Sequence, residues 1–293
     1  MNLKDKITAK ISSFPTLPVM VSKLLHVINE PDAGAADVAK IIQYDPALTA
    51  NVLKAANSAF LGFRSPVNSI SEASFRLGTK WIYQIAVSSL IFSNMKKPVA
   101  GYDLGEEKLW KHSLSVALMS EALCTLLRIR DVGIIYTAAL LHDMGKIVLG
   151  EHLVDHLGEI QSIVDEQEIP FEKAEDKIMG IDHAELGALI AERWRFPDTI
   201  IDCIRWHHNP DDAPQISNAL DIVHIADSMS LMEGFGYGRD ELQYRMSEQA
   251  VARVNATSAI LELALSKTIL TMEDIENIVK DMPTENSGRE VKT

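Results

Sequence analysis

Cysteine is nearly absent from this chain of 293 residues, which contains only Cys124 and Cys203, both within apolar stretches. This scarcity excludes a disulfide-rich secreted scaffold and favours two small core residues in a reducing compartment. Long apolar runs are also missing. No stretch of eighteen apolar residues occurs, and the first residues, MNLKDKITAK, lack the apolar segment of a signal peptide. We therefore expect a cytoplasmic protein that makes no contact with a membrane.

Positive charge and strand signals are scarce as well. Lys and Arg number 28 against 41 Asp and Glu, which gives a formal net charge of −13. Because an acidic surface repels phosphate backbones and no basic run is present, we predict no nucleic-acid partner. Alternation of apolar and polar residues never runs far, and no Asn-Gly or Asp-Gly hairpin signal appears.

Helical periodicity is what the sequence has in abundance. Apolar residues recur every three or four positions through most of the chain, as in the stripe from Val21 to Ile28. Pro46 follows an aspartate and suits the first turn of a helix, and Ser69 with Glu72 predicts a capping box. The predicted fold class is therefore all-α.

The clearest break in this pattern is KKPVAGYDLGEE, residues 96–107, which combines Pro, two Gly and mixed charge. Beyond it we predict one continuous helix over 131–149. Near the end, Thr271 with Asp274 predicts a capping box and so a last helix separate from that over 257–267. The predicted parts are an N-terminal helical bundle, 1–100, a second helical domain, 101–283, and a frayed tail, 284–293.

The stretch AALLHDMGKIVLG, residues 138–150, carries three ionisable side chains on an apolar helix. Buried charge is costly unless it is paired or bound to a metal. A residue that shares a helical stripe with core residues points inward, and this test selects ionisable residues elsewhere too. The residues selected in this way are His112, His142, Asp143, Lys146, His183, His207, His208 and Asp227.

Each of these residues, taken singly, has an ordinary explanation as a hydrogen-bonded core residue. Five histidines and two aspartates together would leave a large desolvation cost without a cation. Histidine-rich ligation favours iron or manganese over magnesium, and seven ligands are enough for two divalent ions about 3.5–4 Å apart. The predicted metal ligands are His112, His142, Asp143, His183, His207, His208 and Asp227.

Two residues of this set have further predicted roles. Asp143 has two oxygens and can bridge two ions, and Lys146, on the same side, can hold an anionic phosphate or a bridging hydroxide. Of the other histidines, His224 precedes Asp227 by one turn and is at most a partner of a ligand. The histidines predicted to lie on the surface are His26, His152 and His156.

The ordered set of histidines and aspartates resembles the HD superfamily of metal-dependent phosphohydrolases. "HDMGK" is similar to the HDxGK signature of its cyclic di-GMP phosphodiesterases, the HD-GYP proteins. In the first half, "LPVMVSKLLHVI", "IIQYDPALTANVLKAANSAF" and "SISEASFRLG" resemble the HDOD domain, an HD-related output module of bacterial signalling. Together these resemblances cover about residues 15–230.

This resemblance implies metal ligation by the seven residues and a substrate- or hydroxide-contacting role for Lys146. HDOD domains commonly lack the metal residues, whereas this chain has a full set. HD-GYP enzymes carry a GYP motif after the histidine pair, but NPDDAPQISN follows His208 here, and Gly236-Tyr237 comes only after Asp227. The resemblance therefore implies a metal site without implying cyclic di-GMP as the substrate.

Three functions fit the sequence. The first is a phosphohydrolase acting on a nucleotide or cyclic dinucleotide, with Asp143 and Lys146 as catalytic residues. The second is a non-catalytic module whose N-terminal helices bind a signalling protein, the metal being structural or redox-sensing. The third is an enzyme similar to di-iron oxygenases. We predict an HDOD-type signalling protein with an intact dinuclear HD site, in which phosphohydrolysis is the favoured chemistry.

Overall fold

The computed structural model describes residues 3–14, 19–28, 30, 34–57, 65–235, 238 and 245–280. These residues confirm the all-α class, since extended backbone pairs among them only in an isolated bridge between Val99 and Leu104. The predicted tail and Gly236-Tyr237 lie outside the described residues. The α-helices are α1 (Leu3–Lys10), α2 (Val19–Ile28), α3 (Ala35–Ile42), α4 (Pro46–Ala56), α5 (Ile70–Leu77), α6 (Thr79–Met95), α7 (Lys108–Leu127), α8 (Val132–Leu141), α9 (Gly145–Leu153), α10 (Leu157–Gln167), α11 (Phe171–Met179), α12 (His183–Arg193), α13 (Asp198–Trp206), α14 (Asn218–Met232), α15 (Glu248–Arg253) and α16 (Ser258–Lys280).

The chain forms two compact units. The metal unit, so named for the residues it contains, comprises Met1–Thr16 and Met95–Ile269, and the second unit comprises Leu17–Asn94 and Leu270–Thr293. This division differs from the predicted parts, because the first residues of the chain belong to the metal unit. The physical reason is that α1 packs on α9 and that Arg193 donates to main-chain carbonyls next to α1, including that of Ser12 at 2.8 Å.

In the second unit, hydrogen bonds hold both ends of α4. Asp45 caps α4 by accepting a hydrogen bond from the Leu48 amide at 2.9 Å, and Pro46 occupies the first turn as predicted. At the other end of α4, the Asn57 side chain accepts from the Val67 amide at 2.7 Å and donates to the Val67 carbonyl at 2.8 Å. None of the seven predicted ligands lies in this unit.

In the metal unit α7 packs against both α8 and α14, and α12 packs against α9 and α13. Most of α7 is buried, from Leu109 to Cys124, and both cysteines are buried in the core without a disulfide between them. Small residues allow close contact between helices. A Cβ added at Gly145 in α9 would lie 1.9 Å from the carbonyl oxygen of His183 in α12, so the two backbones almost touch here.

Two predicted helices differ from the structure. The helix predicted over 131–149 is interrupted by a turn at 142–144, which separates α8 from α9. His142 and Asp143 lie in this turn. The separate last helix opening at Thr271 is wrong, because α16 runs unbroken from Ser258 to Lys280. No proline or glycine interrupts that stretch, so a good cap signal inside it does not start a new helix.

One stretch, Val132–Gln167, is long and apolar enough by composition to cross a membrane, with a mean hydropathy of 1.4 in its most apolar window. Of that window, 78% is buried inside the structure. The stretch also contains the turn at 142–144. Its apolar character is therefore accounted for by its place in the core.

Candidate metal centre

The structure brings all seven predicted ligands together. They come from five places in the metal unit: one turn into α7, the turn between α8 and α9, the first residue of α12, the end of α13, and the middle of α14. Ends of helices supply five of the seven, where side chains can converge without a clash between helix cylinders. Six of the seven are buried, and His208 is the partly exposed member.

The ligands form two groups, in each of which one ligand atom per residue lies within 4.8 Å of the others. We call them the four-residue group, which is Asp143, His183, His207 and His208, and the three-residue group, which is His112, His142 and Asp227. In the second, Asp227 Oδ1 lies 3.0 Å from His112 Nε2 and 3.5 Å from His142 Nε2.

The Asp143 carboxylate lies between the two groups. Its Oδ1 is 3.4 Å from His183 Nε2 and 3.7 Å from His207 Nε2. Its Oδ2 is 3.6 Å from His112 Nε2 and 3.5 Å from His142 Nε2. One oxygen therefore faces each group, which is the arrangement that a carboxylate bridging two cations requires.

Three of the histidines are held by main-chain carbonyls. A carbonyl oxygen can only accept, so the Nδ1 that faces it must carry the proton, and the Nε2 of the neutral ring then has a free lone pair. That is the tautomer in which a histidine binds a metal through Nε2. The contacts are His112 Nδ1 to Phe235 O at 3.0 Å, His142 Nδ1 to Ala139 O at 2.7 Å and His207 Nδ1 to Ile204 O at 2.7 Å.

His183 differs, since its Nδ1 faces a carboxylate. The residue is Glu175 on α11, whose Oε2 lies 2.8 Å from His183 Nδ1 and accepts the His183 main-chain N–H at 2.9 Å. Sequence reasoning missed Glu175. The signal was present, because Glu175 lies on the buried stripe of α11 with Phe171, Ala174 and Met179, and the same stripe test would have selected it.

Two ionisable residues, Lys146 and His224, lie beside the predicted ligands. Lys146 donates to Asp143 Oδ2 at 2.6 Å, and its ammonium group lies 5.5 Å from the centre of the Tyr102 ring. His224 faces the His207 carbonyl through Nδ1 at 2.7 Å and accepts the Ser247 amide through Nε2 at 2.8 Å. His224 thus holds the main chain of His207, one of the seven predicted ligands.

Electrostatics keeps the carboxylates charged. Burial alone would raise the pKa of Asp143, but Lys146 and His142 hold that pKa well below its usual value. The pKa of Asp227 is likewise held well below the usual value against burial, by His112 and His142. Both carboxylates are therefore anionic at neutral pH, the state that a metal ion needs.

The imidazoles do not share one charge state. Burial, reinforced by His142, lowers the pKa of His207 to about 3, and burial together with His207 lowers the pKa of His208 well below its usual value. Burial would lower the pKa of His183 too, but Glu175 and Asp143 raise it well above the usual value. A cation bound at His183 would replace that proton next to the carboxylates.

Unpartnered polar atoms test whether a cation fits. Among the described residues, His142 Nε2, Asp143 Oδ1 and Asp227 Oδ1 are buried without a hydrogen bond, although each lies within 3.7 Å of another group member. Such atoms are rare in native proteins because each costs the desolvation energy of a polar group. A divalent cation in each of the two groups would satisfy all three atoms, so the donor set fits a metal centre.

Comparison with known protein families identifies the family of the chain. The family model of the HDOD domain matches residues 14–210. The chain belongs to the HDOD family. The matched region contains six of the seven predicted ligands, and Asp227 follows it. The HDOD resemblance of the first half of the sequence is thereby confirmed.

Curated relatives match over part of their length. An uncharacterized protein of Treponema pallidum (strain Nichols) is 29% identical over 217 residues, which is 73% of this chain and 41% of that protein. Ribonuclease Y of Mycoplasma mycoides is 34% identical over 139 residues, which is 47% of this chain and 21% of the ribonuclease. The chain therefore spans less than half of these relatives.

Solved structures share the fold. An HDOD domain protein of unknown function from Geobacter sulfurreducens has a TM-score of 0.69 and 24% identity, with 95% of this chain and 97% of that chain covered. A protein of Shewanella amazonensis that is named as a candidate phosphohydrolase has a TM-score of 0.66 and 23% identity, with 94% and 98% covered. At these identities the likeness extends to the fold.

Proposed function

We propose that this HDOD protein is a cytoplasmic signalling protein whose centre binds two divalent metal ions and hydrolyses a phosphoester bond in a nucleotide or cyclic nucleotide. The position of Asp143 carries the proposal, because each of its two oxygens faces a different group of histidine Nε2 atoms within 3.7 Å. Histidine-rich ligation favours iron or manganese in both positions.

The two groups have different ligand supplies. The four-residue group offers three imidazoles and one carboxylate oxygen, and the three-residue group offers two imidazoles and the Asp227 carboxylate, with the second oxygen of Asp143 beside it. Ions bound in these groups would supply Lewis acidity that activates water and stabilises negative charge on phosphoryl oxygens.

The side chains of the protein have their own parts in this chemistry. Asp143 would contribute one carboxylate oxygen to each of the two groups. Lys146 keeps a buried positive charge 2.6 Å from Asp143, where it can attract an anionic phosphate and neutralise developing charge. His208 is the partly exposed ligand, so we expect a substrate to enter on the side of the four-residue group.

The names of two similar proteins support the proposal that a phosphoester bond is hydrolysed. The name of the Shewanella protein refers to phosphoester hydrolysis, and the name ribonuclease refers to cleavage of phosphodiester bonds in RNA. The net charge of −13 favours a small nucleotide over a long nucleic acid for this chain. A panel of substrates should therefore include nucleotides, cyclic dinucleotides and a short RNA.

Replacing Lys146 with alanine tests the catalytic part of the proposal. We expect kcat on the panel member that wild type hydrolyses to fall by about 10²–10³, as for other lost groups that stabilise transition-state charge. Manganese content, measured by mass spectrometry, should remain near that of wild type. Lys177→Ala, an exposed lysine on α11, is the control and should keep full activity. A manganese-loaded wild type that leaves the whole panel intact would contradict the hydrolase proposal.

The second unit favours a regulatory role in addition. It folds around its own core, including Val38, Ile42 and Val52, and contains none of the ligands. We propose that it binds a signalling protein. The double variant His142→Ala/Asp143→Ala should lose its metal and still retain the proteins that copurify with wild type from the host. If those proteins are lost while the variant remains folded, the two functions are not separate.

A further inference from the structure

Glu175 connects three parts of the metal unit through one carboxylate. Its Oε2 accepts hydrogen bonds from the ring Nδ1–H and the main-chain N–H of His183, and its Oε1 accepts one from the Tyr102 hydroxyl at 2.6 Å. Tyr102 and Glu175 are fully buried, and His183 is 1% exposed. Both carboxylate oxygens are thus used, and the carboxylate has a fixed orientation toward the ring.

This contact distinguishes His183 from the other histidines. The Nδ1 atoms of His112, His142 and His207 face main-chain carbonyls, whereas Nδ1 of His183 faces a side-chain carboxylate. A carboxylate that accepts a hydrogen bond from Nδ1–H makes Nε2 of the imidazole a more basic ligand and fixes the orientation of the ring. The Tyr102 ring also packs edge-on to the His183 ring, with centroids 6.0 Å apart.

We infer that Glu175, held by Tyr102, is a positioning residue that orients His183 and gives the four-residue group the higher metal affinity of the two. The inference rests on the proposed metal binding. It assigns the order of loading, with the four-residue group filled first, because that group offers three imidazoles against two and has a carboxylate behind one of them. A purely structural role, capping the first turn of α12, is the competing explanation.

The test is a titration of metal-free protein with Mn²⁺, in which electron paramagnetic resonance measures the unbound ion. Wild type should bind two ions with separable affinities. In Glu175→Gln, which keeps the size and removes the charge, we expect the tighter affinity to weaken about 10–100-fold and the other to change less than about threefold. Tyr102→Phe should shift the same affinity in the same direction by a smaller factor.

Asp176→Asn is the control, since Asp176 follows Glu175 directly on α11 and its side chain is exposed to solvent. This control should leave both affinities within about threefold of wild type. Circular dichroism of the metal-free variants separates the explanations, because a capping role alone would lower the unfolding temperature and shift both affinities together.

Two results would overturn the inference, and they have different meanings. A wild type that binds Mn²⁺ normally and a Glu175→Gln variant with unchanged affinities, or with both affinities weakened equally, would overturn the role of Glu175 alone. A wild type that binds no Mn²⁺ would overturn the metal proposal and this inference with it.

Discussion

Replacing Asp143 with asparagine should eliminate tight binding of both metal ions at once. The reason is geometric: Oδ1 faces His183 and His207, and Oδ2 faces His112 and His142. Because even the loss of an outer partner costs about 10–100-fold in metal affinity, the loss of a shared charged ligand should cost more than about 100-fold for each ion. Manganese titration followed by elemental mass spectrometry after dialysis measures both losses.

Two further variants keep this result interpretable. Asp143→Asn also leaves the Lys146 ammonium beside a neutral amide, so its fold must be verified by circular dichroism. His208→Ala alters the partly exposed ligand and should weaken one ion only. Asp155→Asn, at an exposed aspartate of the same unit, should bind metal as wild type does. A folded Asp143→Asn variant that still binds two ions would show that Asp143 is not shared.

Replacing Gly145 with alanine should destabilise the metal unit by about 3 kcal/mol in free energy of unfolding. The added Cβ would lie 1.9 Å from the His183 carbonyl oxygen and 2.8 Å from the Gly187 nitrogen. Both are main-chain atoms that no rotamer change can move, so α9 and α12 must separate. Because His183 starts α12, the separation also moves a ligand, and metal affinity should fall along with stability.

Two other glycines form a graded series with Gly145, and urea denaturation measures all three. A Cβ at Gly187 would lie 3.0 Å from Ile204 Cγ2 and 3.3 Å from the Gly145 main-chain nitrogen, which is far less crowded than at Gly145, so Gly187→Ala should cost about 1 kcal/mol. A Cβ at Gly158 in α10 meets nothing within 4 Å, and Gly158→Ala should raise the free energy of unfolding by about 0.4–1 kcal/mol. If all three variants unfold like wild type, the close contact of α9 and α12 does not position the site.

The candidate site could be predicted from the sequence because its residues break a strong pattern. An ionisable residue on an apolar helical stripe is visible without coordinates, and this test selected all seven residues that the structure brings together. Glu175 has the same signal in α11, but five of the nine residues of that helix are charged, so a single inward carboxylate does not stand out. The turn at 142–144 was missed because the apolar pattern continues across it.

The acceptors that orient the histidines have no such signal. His112 faces the carbonyl of Phe235, which lies 123 positions away in the chain, and any residue could supply that oxygen. The same holds for the division into two units. The first helix belongs to the metal unit through contacts such as the ion pair of Lys10 with Glu151. The sequence does not show which charged side chains on the surface pair with each other.

Metal stoichiometry tests the central claim most directly. Wild-type protein purified without chelator from its native host should contain two divalent ions per chain by elemental mass spectrometry, iron or manganese predominating, and His142→Ala/Asp143→Ala should contain none. A wild type that carries no metal, and takes up none from excess Fe²⁺ or Mn²⁺, would contradict the account, because the converging imidazoles and carboxylates would then be held by hydrogen bonds and ion pairs alone.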